Sequence, residues 1–547
     1  MERTFQLSRR QLNVSGLSGF LLGSWARSWS EFATAAKQRS AAPWRPEEGL
    51  RLAGSTQPTI SLDPALSRDL PTNFLLRQIF RGLLRFDERL AAIPELAETM
   101  AVSEDGLRYD FALRETITFH DGRPIDALDV LESLSRALRP DTAGGFADGL
   151  AGVTYLRDIV GASDVLAGAS TMLSGVEVHD ERHLTISLNQ PSATFPMKLA
   201  SVPSSVIDRF QVQTGANWQI KPNGSGPFRC DRFTPDKELF LSSAPTWWSK
   251  SPLVPSVHVR LGPSASQPVN LFAAGEIDIA DGIPADQRDL LLDPASGFEA
   301  STLVDTPLFA VSYIALGNRE PPLDDVHIRR ALKVAFPAEK FALGRFDGAV
   351  TGAKGLIPDG MLGRKWIIEG TEPNLEMARA EIRASRYRSA GRVPPISIYA
   401  ADVEPVEALR DTAGRDLGLA IEAVAVSWPD FLGGLASKAF PAYALYWGAD
   451  YPDPESLLWM LFGSDSPENY TGYRNDEFDS LLARARDERD GEAIIQLYDQ
   501  AHRLLIGEAA VIPLYFDIGY TAARQGIAGV PMTPMGLLGL ETIRAAG

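Results

Sequence analysis

Short apolar runs alternate with amphipathic stretches along most of this chain, and that alternation limits the folds open to it. Residues 308–316 (LFAVSYIAL) form a near-continuous apolar run of strand length. Asp324-Asp325 then stand where a helix cap belongs, and residues 326–336 carry a helix that Pro337 breaks. Further on, residues 395–400 read as a strand and 405–417 as a helix. Residues 478–486 and 492–507 are amphipathic helices, and 511–516 is a strand. Nearer the N-terminus, residues 52–62 read as a strand. Thr72 caps a helix that carries Phe74, Leu75, Ile79 and Leu83 at helical spacing. Asp126 caps another helix through Leu138, with Val130, Leu131 and Leu134 on its apolar stripe. Strands interleaved with helices predict an α/β architecture. At 547 residues the chain exceeds what one core supports, so it divides into two or three domains.

Three further segments test for chemistry. Residues 176–188 alternate like a hairpin turning at Asp180-Glu181. His179 and His183 flank that turn rather than share a helix face, and no third ligand accompanies them, so they read as turn histidines and not as a metal pair. Residues 107–119 alternate like a strand pair, ending in a Phe119-His120-Asp121-Gly122 turn with no nucleophile beside it. Asn223-Gly224-Ser225-Gly226-Pro227 is a bend without phosphate-loop spacing. Residues 271–275 end a helix at Gly275, and 276–279 continue as a strand.

Composition removes other classes. A formal charge of −17, with no basic face to offset it, argues against nucleic-acid binding. The single cysteine, Cys230, permits no internal disulfide; flanked by Phe228 and Phe233, it reads as a small buried hydrophobe. Six scattered histidines supply neither a nucleophile–base set nor a metal cluster, which leaves a secreted hydrolase as a distant alternative. At the N-terminus, Ser8-Arg9-Arg10-Gln11-Leu12 precedes a modestly apolar stretch and then an Ala33-Thr34-Ala35 cleavage site. Residues 1–35 therefore read as an export signal that resembles the twin-arginine type, with a Sec signal as the alternative. No cysteine follows the apolar stretch for lipid attachment, and no run of 18 apolar residues occurs later. These features predict a soluble exported protein without a lipid anchor.

The stretch 441–454 (PAYALYWGADYPDP) carries the clearest site signal. An apolar run, Tyr443 to Trp447, ends at Gly448-Ala449 and delivers Asp450 into a loop punctuated by Pro452 and Pro454. A carboxylate at a strand end beside aromatic side chains is suited to holding a ligand's cation.

Six segments in register resemble the extracytoplasmic solute-binding proteins of family 5, which serve bacterial peptide and nickel ABC importers. They are Pro94-Glu95-Leu96-Ala97-Glu98 leading to Asp105-Gly106-Leu107; Phe119-His120-Asp121-Gly122 with Asp129-Val130; and Gly224-Ser225-Gly226-Pro227-Phe228. The others are Gly275-Glu276-Ile277-Asp278-Ile279; Leu323-Asp324-Asp325-Val326 with Arg329-Arg330-Ala331-Leu332; and Trp447 to Pro454, followed by Asn469, Tyr473 and Phe478-Asp479. The resemblance implies a two-lobed periplasmic-binding-protein-like fold of type II, with an extra subdomain on lobe one. Lobe one would comprise residues 36–305 and a returning segment 511–547, and lobe two residues 306–510. Hinges would fall near Thr306-Pro307 and Ile512-Pro513.

The resemblance also implies a non-enzymatic periplasmic monomer that captures a peptide or similar amine-bearing solute and passes it to a membrane permease, without a cofactor or resident metal. By the W-x-x-D motif, Asp450 would pair with the ligand's α-ammonium group. Trp447 or Tyr446 would line the pocket, at most one of the two because alternate strand residues face opposite sides. Asn469 would help through its amide or hold its own loop. The ligand's carboxylate would need a cation, for which Lys354, Arg364 and Arg345 are candidates that no motif separates. The same fold also serves nickel chelates, oligosaccharides and opines; Asp450 favours an amino group over a neutral sugar.

Overall fold

The computed structural model describes residues 44–54, 61–67, 69–144, 150–215, 217–265, 268–283, 285–288, 301–368, 372–537 and 539–546. Residues 1–35, where an export signal with Arg9 and Arg10 is expected, lie outside them.

An eleven-stranded mixed sheet runs through the molecule. Its strands are β1 (Leu50–Ala53), β2 (Phe228–Thr234), β3 (Glu238–Ser243), β4 (Ser256–Arg260), β5 (Ile279–Ile283), β6 (Ser301–Leu316), β7 (Thr351–Gly352), β8 (Ile396–Ala400), β9 (Ile421–Ala425), β10 (Ala442–Gly448) and β11 (Val511–Arg524). The spatial order is β9-β8-β10-β6-β11-β5-β1-β4-β3-β2, with β7 on β11. The two longest strands, β6 and β11, pair antiparallel at its middle, from Ser301↔Arg524 to Ala315↔Val511, with register shifts after Pro307 and at Ser312–Tyr313.

Each side of that pair has its own core. On one side Leu50, Leu52, Phe228, Leu239, Val257 and Val259 cluster together. On the other, Ile314, Leu316, Ile328, Leu332, Ile396 and Ile398 do so. The molecule is thus two-lobed, and a four-stranded sheet of Ala97–Val102, Arg108–Leu113, His183–Ser187 and Val176–Val178 forms the extra subdomain on the first lobe.

Three local expectations change. The helix α1 (Leu70–Ile79) is capped one turn earlier than predicted: Asp69, not Thr72, accepts from the Thr72 N–H. Within 107–119 only Arg108–Leu113 is a strand, because a turn at Glu115-Thr116 drops Ile117 and Phe119 into the core. The strand expected at 276–279 begins only at Ile279, because Asp278 is engaged as the bidentate partner of Arg51.

The hairpin histidines serve the turn. His183 bonds Asp180, which also accepts from the Arg182 and His183 N–H groups, and His179 Nε2 bonds Thr185 Oγ1. Among the described residues there is no cluster of three metal-type ligands. Cys230 is buried, and burial pushes its thiol up to about 12. No described helix is long and apolar enough to cross a membrane.

Candidate functional site

β10 pairs antiparallel with β6 from Leu316↔Ala442 to Ala310↔Gly448, and the Ala449 N–H donates to the Phe309 carbonyl at 2.7 Å. The pairing therefore carries the backbone one residue past the strand and fixes where Asp450 emerges. Beyond it, Asp453 accepts from the Glu455 N–H, and the Ser456 hydroxyl donates to the Tyr451 carbonyl at 2.9 Å, so the loop runs directly into helix α2 (Glu455–Phe462). Fixed at both ends, the loop presents Asp450 to a cavity of about 20 Å³ between the lobes, enough for roughly one water.

The opposite wall is one face of α1: Leu70, Asn73, Phe74 and Arg77 recur at helical spacing. Tyr155, Ser201, Val202 and Met535 complete it. Leu70 reaches close to the second lobe, because a Cβ at Gly448 would lie 3.0 Å from its Cδ1.

The Tyr155 hydroxyl donates to Asp450 Oδ1 at 2.8 Å, while Oδ2 is buried with no hydrogen-bond partner among the described residues. Burial pushes the Asp450 carboxyl up to about 6. The Glu468 charge adds to the rise; Tyr155 and Trp447 oppose it. Such a group is a poor anion when alone and a strong partner for an ammonium ion that enters with it.

The other nominated residues are placed as follows. Trp447 is partly buried against the large core that runs beneath the site, and its indole N–H makes no well-formed hydrogen bond among the described residues. Tyr446 is 43% exposed and pairs across the strand with Ser312. It stands near Asp517 and Tyr515 and does not line the Asp450 cavity. Asn469 is buried, and its amide group donates to the carbonyls of Phe462, Gly463 and Tyr473 while its oxygen accepts from Thr471. That full set of bonds favours a loop-holding role for Asn469 over a ligand contact.

Each of the three candidate cations already has an anion. Lys354 pairs with Glu339 at 3.2 Å, Arg364 with Glu492 at 3.1 Å and Arg345 with Glu404 at 2.7 Å. Tyr155 and Arg77 do not stand out in the sequence. On α1, Asn73 and Arg77 are polar interruptions one turn apart, a weak signal that gains meaning only when the second lobe faces it.

Behind the cavity the lobes are joined by a buried charge group. Lys198 lies 2.8 Å from Asp158 on its own lobe and 3.7 Å from Glu455 on α2. Arg486 pairs with Glu455 at 3.1 Å, and the Thr194 hydroxyl donates to Glu455. Burial alone would raise the Glu455 carboxyl, but Lys198 and Arg486 hold it well below the usual range.

Residues 91–469 match the model of the bacterial extracellular solute-binding proteins, family 5. A probable di/tripeptide-binding protein of Pseudomonas aeruginosa is 24% identical over 495 residues, covering 85% of this chain and 89% of the relative. A probable deoxycholate-binding periplasmic protein of Escherichia coli is 26% identical over 510 residues, covering 90% and 92%. Among solved structures, the Escherichia coli murein tripeptide binding protein superposes with a TM-score of 0.77 at 21% identity, covering 91% and 98%.

Proposed function

The chain belongs to the bacterial extracellular solute-binding proteins of family 5, and from that membership we propose that it captures short peptides or similar amine-bearing solutes in the periplasm and delivers them to the permease of an ABC importer. It binds and releases rather than catalyses, and it works as an exported monomer without a lipid anchor. Its lobes run over residues 36–305 with 511–547 and over 306–510, and residues 1–35 direct export.

One observation carries the reading: Asp450 Oδ2 sits buried between the lobes with no hydrogen-bond partner among the described residues. In the bound complex the ligand's ammonium group takes that oxygen and Trp447 flanks it. A charge-assisted bond of this kind contributes about 1.5–3 kcal/mol. A micromolar ligand requires about 8 kcal/mol, so burial between the lobes and backbone pairing supply the remainder.

The test is calorimetric titration with a dipeptide mixture and with the same mixture N-acetylated. Free amines are expected to bind at least about tenfold more tightly, and Asp450→Asn to abolish the difference while the fold persists. Equal affinity of wild-type protein for both mixtures would remove Asp450 as the anchor.

A further inference from the structure

β11 begins in the second lobe's core, at Ile512 and Leu514, and ends in the first lobe's, at Ala523. Asp517 falls between the two and is half-buried. Its carboxylate accepts from the Ile518 N–H at 2.9 Å and forms no ion pair among the described residues. Burial pushes the group up to about 6. Other carboxylates that burial raises are met by a side chain: Asp129 by Arg123, Asp281 by the Thr521 hydroxyl and Asp453 by Tyr498. Asp517 has no such partner among the described residues.

Tyr446 on β10 and Tyr515 on β11 both pair with Ser312 of β6, so the three share one face of the sheet. Two residues further on, Asp517 shares that face with Tyr515, and Gly448 shares it with Tyr446. Leu70, which lines the Asp450 cavity, meets Gly448, so this face continues the interlobe cleft. Tyr446 is 43% exposed, and solvent reaches the face there. Both tyrosines feel the Asp517 charge, and the Phe346 ring packs on Tyr515 at 4.8 Å. Arg345, which also acts on Tyr515, is paired with Glu404 at 2.7 Å. Trp447 turns to the opposite face of β10 and interacts with Asp450, so it and Tyr446 serve different positions.

We propose that Asp517, with Tyr446 and Tyr515 beside it, is a second cation-accepting position in the cleft and selects ligands that carry a basic side chain. The proposal rests on the reading of the chain as a carrier of peptides or similar amine-bearing solutes and adds which of them it prefers. A lysine ammonium or an arginine guanidinium supplies the charge that Asp517 lacks, and the tyrosine faces attract the same cation. A neutral side chain would leave the carboxylate dry and unpaired. Across two strand spacings Asp517 lies roughly 10 Å from Gly448, within reach of a long side chain on a peptide lying beside β10.

Wild-type protein is titrated calorimetrically with trialanine, with trialanine acetylated at its α-amine, and with the three tripeptides that carry lysine in place of one alanine, each free and Nε-acetylated. At least one lysine peptide is expected to bind about tenfold or more tightly than its Nε-acetylated twin. Asp517→Asn is expected to erase that preference; a variant that keeps it would overturn the assignment to this residue. Wild-type protein that prefers trialanine to its α-acetylated form but no lysine peptide to its twin would overturn the Asp517 proposal and leave Asp450 standing. A lysine preference without an α-amine preference would support Asp517 and remove Asp450 as the anchor. Indifference to both modifications, or no binding of any peptide, would overturn both. The wild-type comparison needs no substitution, so it decides between these outcomes even where the variant fails to fold.

Discussion

At the scale of the residue, Asp450 is a carboxylate held against its own chemistry. An isolated aspartate titrates near 3.9, and here burial raises the group to about 6. Between those values the folded state holds a proton that the unfolded state has released, so for this group stability falls as pH rises. The penalty is complete above the folded pKa and amounts to at most about 3 kcal/mol. Asp450→Asn is therefore expected to raise the melting temperature of the ligand-free protein at pH 7.5 and to have little effect near pH 4. A melting temperature at pH 7.5 that is lowered instead would contradict the buried-charge account. Ligand binding responds in the opposite sense. The amine stays charged while the carboxylate is neutralised below about pH 6, so affinity for free-amine dipeptides should drop about tenfold between pH 7.5 and 5. Calorimetry across that range reads it directly. Asp450 was legible in the sequence because a strand end, a glycine and two prolines frame it locally. Tyr155 was not, since its hydrogen bond to Asp450 spans 295 residues of chain and no local pattern announces such a pairing. Arg77, which lines the same cavity, was hidden for a different reason: a charged residue on an amphipathic helix ordinarily reads as a solvated one.

At the scale of the element, the site depends on how closely α1 approaches the end of β10. Gly448 is small where Leu70 arrives from the other lobe. Gly448→Val is expected to hold the lobes apart and weaken ligand binding about tenfold or more while each lobe stays folded. Leu70→Ala, by removing the opposing methyl groups, should restore much of that affinity in the double variant. Titration of the two single variants and the double variant settles whether the contact is the cause. Sequence periodicity located β10, α1 and both long strands, but it misplaced ends. β6 and β11 extend well past the apolar runs that announced them, to Ser301 and Arg524, because their outer residues pair with each other. Pairing partners of that kind are not visible in local hydropathy.

At the scale of the whole molecule, the Lys198–Asp158–Glu455–Arg486 group ties the lobes together behind the cavity. Removing one member leaves its partners charged and dry. Lys198→Met is therefore expected to cost about 3–5 kcal/mol, read as a lower melting temperature at neutral pH, because Asp158 loses its 2.8 Å partner. A replacement as small in effect as a surface mutation would show that water reaches the group. The two-lobed α/β architecture was expected from the alternation of strands and helices together with the six family-like segments. The interlobe charge group was not, because Lys198 and Glu455 are distant in the chain and neither sits in a recognisable motif.

The last long strand, β11, lies between β6 and β5, so the sheet is completed by a segment far along the chain from both neighbours. The Trp44 N–H even donates to the carbonyl of Gln525 at 2.7 Å. Without β11, β5 and β6 would each present an open edge. A chain interrupted between β6 and β11 is thus expected to expose sticky strand edges and aggregate rather than to leave a smaller folded lobe.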